Sequence, residues 1–392
     1  MKRIPAVVLV VILVAALAGL VFFFGFAARM MDRRMNTVVE PPPYEASEQA
    51  RRLHARLNVA DMHCDLLLWP RDPLVRADYG HVDVPRLVEG GVALQVFSAV
   101  TKVPFGLNYE RNTGDTDQIR WLVMAERRPV STWFSLTERA LDQARRLDAA
   151  AARSDGRLTV VRTAADLDRF LERRASDPNL VAGVLAVEGL HALEGKLENV
   201  DRLFEAGFRM MAATHFFDNA VAGSAHGAER GGLTELGRQV IRRQEELGIV
   251  VDVAHVSPRA VDDILALATR PVVLSHGGVK AVCDSPRNLS DDQIRGIAAT
   301  GGVIGIGYWD GAVCEPTVPN VVRAIRHVAD LAGVDHVGLG SDFDGATREP
   351  FDTTGLVKIT EALMNEGFTD EEIAKIMGGN VLRVLRQTLP PG

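Results

Sequence analysis

The sequence predicts an α/β fold: a TIM-like (β/α)8 barrel preceded by one N-terminal transmembrane helix. Three observations predict it. Eight short apolar runs rich in Val, Ile and Ala recur along the chain, as parallel strands buried on both faces do. Stretches with helical periodicity separate them. Titratable residues close six of the runs, and the strand ends are where a barrel gathers its chemistry. A doubly wound open sheet is the alternative that the same alternation allows.

Residues 5–28 (PAVVLVVILVAALAGLVFFFGFAA) carry no charge over 24 residues. At about 1.5 Å per residue they reach roughly 36 Å, enough to cross a hydrocarbon core of about 30 Å. A cleaved signal has a shorter apolar core, about 7–15 residues, so residues 1–34 read as an uncleaved signal anchor in preference to a cleaved signal. Lys2 and Arg3 precede the span and Arg29, Arg33 and Arg34 follow it, so charge alone does not orient it. Residues 35–44 end in Glu40-Pro41-Pro42-Pro43 and read as a stiff, extended stalk.

A domain over residues 45–392 follows, opened by a helix at 45–57. The predicted strands are 59–66, 92–100, 180–188, 208–215, 249–255, 271–276, 302–308 and 336–342. Between them lie helical patterns such as "LTELGRQVIRRQEELG" and "TVPNVVRAIRHVADLAG". The segment 105–150 is long, polar and mostly helical, and reads as an insertion after the second strand.

Composition narrows the function classes. With 47% apolar and 24% charged residues, the chain has the make-up of an ordinary globular protein. Segment 1–34 holds five basic residues against one acidic, a net of +4; with -7 overall, the remainder carries -11. An acidic body argues against nucleic acid as partner. The three cysteines, Cys64, Cys283 and Cys314, are no disulfide framework. They allow at most one intrachain bridge, which nothing in the sequence requires.

His63 and Asp65 close the first run. Residues i and i+2 of a strand point to one face, so the two side chains converge as ligands of one metal would. Imidazole and carboxylate suit zinc or a similar divalent ion. Glu188, His215, His255, His276 and Asp342 close the later runs. Taken singly, each histidine is more ordinarily a core or loop residue satisfied by hydrogen bonds. Glu188 resists that reading, because an unpaired carboxylate at the end of an apolar strand is costly to bury. The joint pattern points to a metal site. It supplies more ligands than one catalytic zinc needs, and two metals sharing a bridging carboxylate fit better.

The stretches "DMHCDLLLW", "HVDVPRLVEGGVALQVFS", "VEGLHAL", "ATHFFDNAVAGSAHG", "GLTELGRQVI", "VDVAHVS", "LSHGGVKAVCDSPRNLSDDQI", "HVGLGSDFDG" and "GGNVLRVL" carry a resemblance. The chain resembles the membrane dipeptidase (renal dipeptidase) family of zinc peptidases on an amidohydrolase-like barrel. The stretches run in the family's order over the whole predicted soluble domain. The resemblance implies two zinc ions per chain. His63 and Asp65 would bind the first, His255 and His276 the second, and Glu188 would bridge them. His215 would contact the scissile carbonyl or the oxyanion, and Arg287, in "PRNLS", would hold the substrate carboxylate. Asp342 would take the proton of the attacking water and pass it to the leaving amine.

The implied activity is hydrolysis of dipeptides with a free C-terminal carboxylate, a D-residue accepted there, through attack of a metal-bridging hydroxide. A homodimer and a site outside the cytoplasm are implied by resemblance only. Cys64 stands where the family often has Asn and reads as packing; Gly277 replaces a usual Ser. His226 and His191 read as loop structure first, with His226 a candidate to line the pocket. Asp252, Asp344 and Asn288 read as support, and His54, His81, His327 and His336 have no claim on the site. The alternatives are an amidohydrolase acting on another carboxylate-bearing amide, such as an N-acyl amino acid, and a non-catalytic membrane-tethered binding protein. The last predicts lost ligands, and none is lost.

Overall fold

The computed structural model describes residues 6–392. Lys2, Arg3 and Pro5, at the head of the apolar segment, lie outside the described residues. Eight parallel strands form the barrel: β1 (Val59–Cys64), β2 (Val92–Val100), β3 (Val181–Glu188), β4 (Phe208–Ala212), β5 (Val250–Asp252), β6 (Val272–Gly277), β7 (Val303–Ile306) and β8 (Val337–Leu339). Each falls within one residue of a predicted run at its start. Neighbours pair in chain order from β3 to β8. The ring closes through β8 on β1, β1 on β2 and β2 on β3, the last in register from Leu94↔Ala182 to Val100↔Glu188. A short strand, Leu158–Val160, adds to β3 from outside the ring.

The runs form strands because both faces are covered. Val92, Phe97, Val181, Leu185, Met211, Val251, Ile304 and Val337 are buried in a cluster shared with the surrounding helices. Ala60, Met62, Leu94, Val184, Met210 and Val273 belong to a second. Cys64 is fully buried in the first cluster. The helices begin where caps direct. Ser47 caps Glu48–His54, Ser135 caps Leu136–Arg153 and Thr234 caps Glu235–Leu247, each side chain accepting a backbone N–H of the first turn. Gly248, at φ 72°, ends the third in the left-handed region that favours glycine.

Five predicted strands run past their observed ends, β1 and β7 by two residues and β4, β5 and β8 by three. β4, β5 and β8 each stop three residues before His215, His255 and Asp342. Beyond the last ladder pair the chain turns: His255 and Asp342 have φ of 62° and 66°, a region that non-glycine residues visit sparingly.

At the N-terminus α1 (Ala6–Phe22) passes through a π-helical turn, Phe23–Ala27, into α2 (Ala28–Met35). Val7–Met35 is long and apolar enough to cross a membrane, and its most apolar stretch is not buried in the protein. Residues 35–44 differ from a free stalk. Thr37–Val38 pair in parallel with Arg348–Glu349, and Tyr44 is buried, its hydroxyl accepting from the Asp352 backbone N–H at 2.9 Å. The proline run lies on the domain because the residues on either side of it are fastened there.

Candidate metal centre

Seven titratable side chains meet at the C-terminal rim of the barrel, all buried. Glu188, the last residue of β3, lies at their centre. Its Oε1 is 2.6 Å from His255 Nε2 and 3.2 Å from His276 Nε2. Its Oε2 is 3.4 Å from His215 Nε2 and 3.8 Å from His63 Nε2. His63 Nε2 is 3.4 Å from Asp65 Oδ1 and 3.8 Å from Asp342 Oδ1. Asp65 lies just past the end of β1, with φ -106° and ψ 23°, so the strand's alternation no longer governs it, yet it still meets His63.

Backbone anchors aim these side chains. Asp61 accepts from the His63 and Ser341 backbone N–H groups at 3.1 and 2.9 Å and from the Ser341 hydroxyl at 2.9 Å. That hydroxyl also lies 3.0 Å from the His63 carbonyl. Asp61 thereby joins β1 to the segment that carries Asp342. Asp252 accepts from the Ala254 and Ser275 N–H groups, each at 2.9 Å, and the Ser275 hydroxyl is 2.8 Å from His276 Nδ1. The Thr214 hydroxyl donates to the His255 carbonyl at 2.9 Å. Of these supports, Asp252 reads as one in the sequence too; Ser341, Ser275 and Thr214 lie inside the quoted stretches, but nothing in the sequence assigns them this role.

The electrostatics are those of a site short of positive charge. Burial raises Asp65 and Glu188 well above the ordinary carboxylate range. Burial pushes Asp342 up to about 7, with His63 opposing and Asp65 adding. Burial lowers His215, His255 and His276 far below the ordinary imidazole value, so they are neutral, the form in which histidine ligates metals. Among the described residues, His63 Nε2 and Asp65 Oδ1, which face each other at 3.4 Å, have no hydrogen-bond partner. Buried polar atoms rarely go unpaired without a reason, and divalent cations would satisfy nitrogen and oxygen donors so placed. Three triads offer one ligand atom each within 4.8 Å: His63, Glu188, His276; Glu188, His215, His255; and His63, Asp65, Asp342. The residues present therefore fit a metal centre.

A cavity of about 250 Å³ opens over the cluster, lined on its polar side by Asp65, Glu188, His215, His255, Arg287 and Asp342. Arg287 is buried; its Nη2 donates to the His276 carbonyl at 3.1 Å, while Nε and Nη1 have no partner. Trp309 lies under the guanidinium, 5.0 Å from the ring centroid, and is held by Tyr109 through an Nε1–H···O bond of 3.1 Å. Cys283 and Cys314 form a disulfide that ties the Arg287 loop to the turn after Trp309. Asn288 donates to the Cys283 and Ala312 carbonyls on the same loop.

His226 stacks on Phe216 and bonds through Nδ1 to the Tyr109 carbonyl region at 2.8 Å, outside the cavity wall. His191 lies behind Phe217, and a Cβ at Gly189 would meet its ring at 2.4 Å. At Gly277 an added Cβ would stand 2.9 Å from Leu274 Cδ2, the end of a side chain that would have to shift. His54, His81, His327 and His336 bond elsewhere.

A family model described as membrane dipeptidase (peptidase family M19) matches residues 47–389. Dipeptidase verJ of Clonostachys rogersoniana is 30% identical over 313 residues, 78% of this chain and 75% of that one. An uncharacterized dipeptidase of Schizosaccharomyces pombe is 31% identical over 220 residues, and the match spans about half its length (54%). Among solved structures, a metallo peptidase from Rhodobacter sphaeroides, liganded with a phosphinate mimic of the dipeptide L-Ala-D-Ala, superposes with a TM-score of 0.66 at 28% identity. It covers 85% of this chain and 99% of that one.

Proposed function

The chain belongs to the membrane dipeptidase family, peptidase family M19, and on that premise we propose that it is a membrane-anchored binuclear zinc dipeptidase. Its substrates are dipeptides with a free C-terminal carboxylate. The observation that carries this reading is the division of Glu188: one oxygen turns to His255 and His276, the other toward His63. A carboxylate so shared is suited to bridge two cations, one held with His63 and Asp65, the other with His255 and His276.

The chemistry supplied by two bound zinc ions is a lowered pKa for water and a polarised scissile carbonyl. The chain's own groups do the rest. Arg287 lines the cavity with Nε and Nη1 unpaired and holds the substrate carboxylate by charge-assisted hydrogen bonds. Neutral His215, 3.4 Å from Glu188, donates to the carbonyl oxygen as charge grows on it. Asp342, which lines the cavity beside His63, takes the proton of the attacking water and returns it to the leaving amine. The mimic bound to the Rhodobacter sphaeroides relative ends in D-Ala, which supports acceptance of a D-residue at the C-terminal position.

The apolar helix Val7–Met35 anchors the protein, with the barrel outside the cytoplasm. The Cys283–Cys314 disulfide supports that side, since such bonds persist in oxidising compartments. Protease applied to intact cells should reach the barrel; protection until lysis would overturn the orientation.

The test of activity is the full chain in detergent, loaded with zinc and given L-Ala-D-Ala beside L-Ala-L-Ala with a chelator control. Chelator-sensitive cleavage is expected, and the ratio reports the stereochemical preference. Two bound zinc ions without cleavage of either would replace this reading with the N-acyl amino acid alternative.

A further inference from the structure

The helix that reads as an anchor continues beyond the span. In α2, Ala28, Met31, Asp32 and Met35 recur at helical spacing, so they share one face. Ala28 and Asp32 on that face are buried, while Met30, on the opposite side, is 55% exposed. The buried face packs on Leu68, Trp69, Val100, Val103 and Ile119 of the barrel rim.

Polar bonds fasten it there. Arg71 holds both Asp32 oxygens, at 2.8 and 3.3 Å, and reaches Asp344 Oδ2 at 2.6 Å. Asn36 donates to Asp32 at 2.8 Å and accepts from the Ala346 N–H at 2.9 Å. Thr37–Val38 then pair with Arg348–Glu349. Every one of these bonds ends on, or is relayed to, the segment that follows Asp342.

Met31 and Met35 line the same cavity as Glu188, Arg287 and Asp342. The cavity thus has a polar floor from the barrel and an apolar wall to which the membrane helix contributes. Thioether side chains are polarisable and adaptable, suited to varied apolar partners.

We propose that the last two turns of the membrane helix are part of the substrate pocket, with Met31 and Met35 selecting substrates that carry an apolar side chain. The anchor is then a specificity element as well as a tether. The nature of the substrate rests on the dipeptidase reading; the wall itself rests on the geometry alone.

The test uses the full chain in detergent with zinc. Met35→Trp should lower kcat/KM for dipeptides bearing Leu or Phe at least tenfold more than for Ala-Ala. Met30→Trp, on the exposed face, should leave both unchanged. An unaltered substrate ratio in Met31→Trp and Met35→Trp would overturn the proposal. A second arm needs neither turnover nor a bulky residue. Cys64 is buried and the other cysteines are bridged, so a single thiol can be introduced on a quiet background. In Met35→Cys a small thiol reagent should react, and the phosphinate mimic of L-Ala-D-Ala should protect; in Met30→Cys the mimic should not protect. Labelling at position 35 that the bound mimic leaves untouched would overturn the wall. If the wild type cleaved no dipeptide, the proposed activity would fall, and protection at position 35 would still decide the wall.

Discussion

Two buried polar clusters sit side by side at the mouth of this barrel, and they are built on opposite rules. In the first, Asp32, Arg71, Asn36, His81 and Asp344 balance one another. Arg71 is shared between two carboxylates, and His81 Nδ1 accepts from the Asp344 backbone N–H at 3.0 Å while Asp344 Oδ1 accepts from that of His81 at 2.7 Å. The Arg71–Asp344 contact is one of opposed charges more than of an aligned hydrogen bond. In the second cluster, Glu188 faces His215, His255 and His276, which burial holds neutral, and Asp65 and Asp342 crowd His63. Among the described residues lining the cavity, Arg287 alone brings a fixed positive charge. The first cluster pairs its charges within the chain and holds structure. The second gathers imidazoles and carboxylates with one fixed positive charge beside them, a set that could hold a metal. Burial without a partner does not mark a functional site by itself, since Gln244, Tyr308 and Glu349 also carry unpaired buried atoms; convergence of ligand-type groups does.

The contrast breaks if a substitution in one cluster behaves as expected for the other. The largest effect falls on Glu188→Gln. It should remove at least about a thousandfold of kcat/KM, the scale on which a preorganised electrostatic group is lost, and leave fewer than two zinc ions per chain by elemental analysis. Its metal-free form should be no less stable than the metal-free wild type, because the change removes an uncompensated buried acid. Arg71→Met should do the converse. It strands Asp32 and Asp344 without a counter-charge, so denaturant unfolding should show a loss of about 3–5 kcal/mol, with zinc content per folded chain unchanged. An Arg71→Met chain that lost zinc but not stability would merge the two clusters.

Smaller effects sharpen the comparison. Arg287→Met should lower kcat/KM for a free dipeptide about ten- to hundredfold, as expected for a lost hydrogen bond to a charged group. A dipeptide amide, which lacks the carboxylate, should lose little. Equal losses on both substrates would remove Arg287 from carboxylate binding.

The smallest effect is on acid stability. Burial works to raise Asp344, but Arg71 and His81 outweigh it and hold the carboxyl below its ordinary range. A depressed folded value contributes stability above the unfolded value, about 3.9, and loses it as the pH falls toward the folded one. The stability gap between chelated wild type and Asp344→Asn should be flat from about pH 5 to 8 and narrow below about pH 4. A gap that stayed unchanged well below pH 4 would remove Asp344 from acid stability.

Much of the site is legible in the sequence. Most of the eight strands are nearly continuous apolar runs, because each is buried on both faces. Glu188 and His276 end such runs in the structure as in the sequence. His215, His255 and Asp342 are legible as residues but not as conformations, since they lie past the ladder and two of them have positive φ. The convergence of His63 and Asp65 is present, although Asp65 reaches it from a turn. Tyr109, Trp309 and Arg71 leave no trace in the sequence, because each acts through partners far from it along the chain.

By itself the sequence determined whatever repeats over a few residues: strands, capped helices, an apolar span and polar groups at the ends of runs. Local spacing encodes these, since each depends on neighbours along the chain. Tertiary structure alone decided which charges cancel and which stay open. Asp32 meets Arg71 across 39 positions, and Arg71 meets Asp344 on the far side of the barrel sequence. It also decided that a stretch shaped to cross lipid ends as a wall of the cavity, because Met31 and Met35 acquire that role only when α2 lies on the rim.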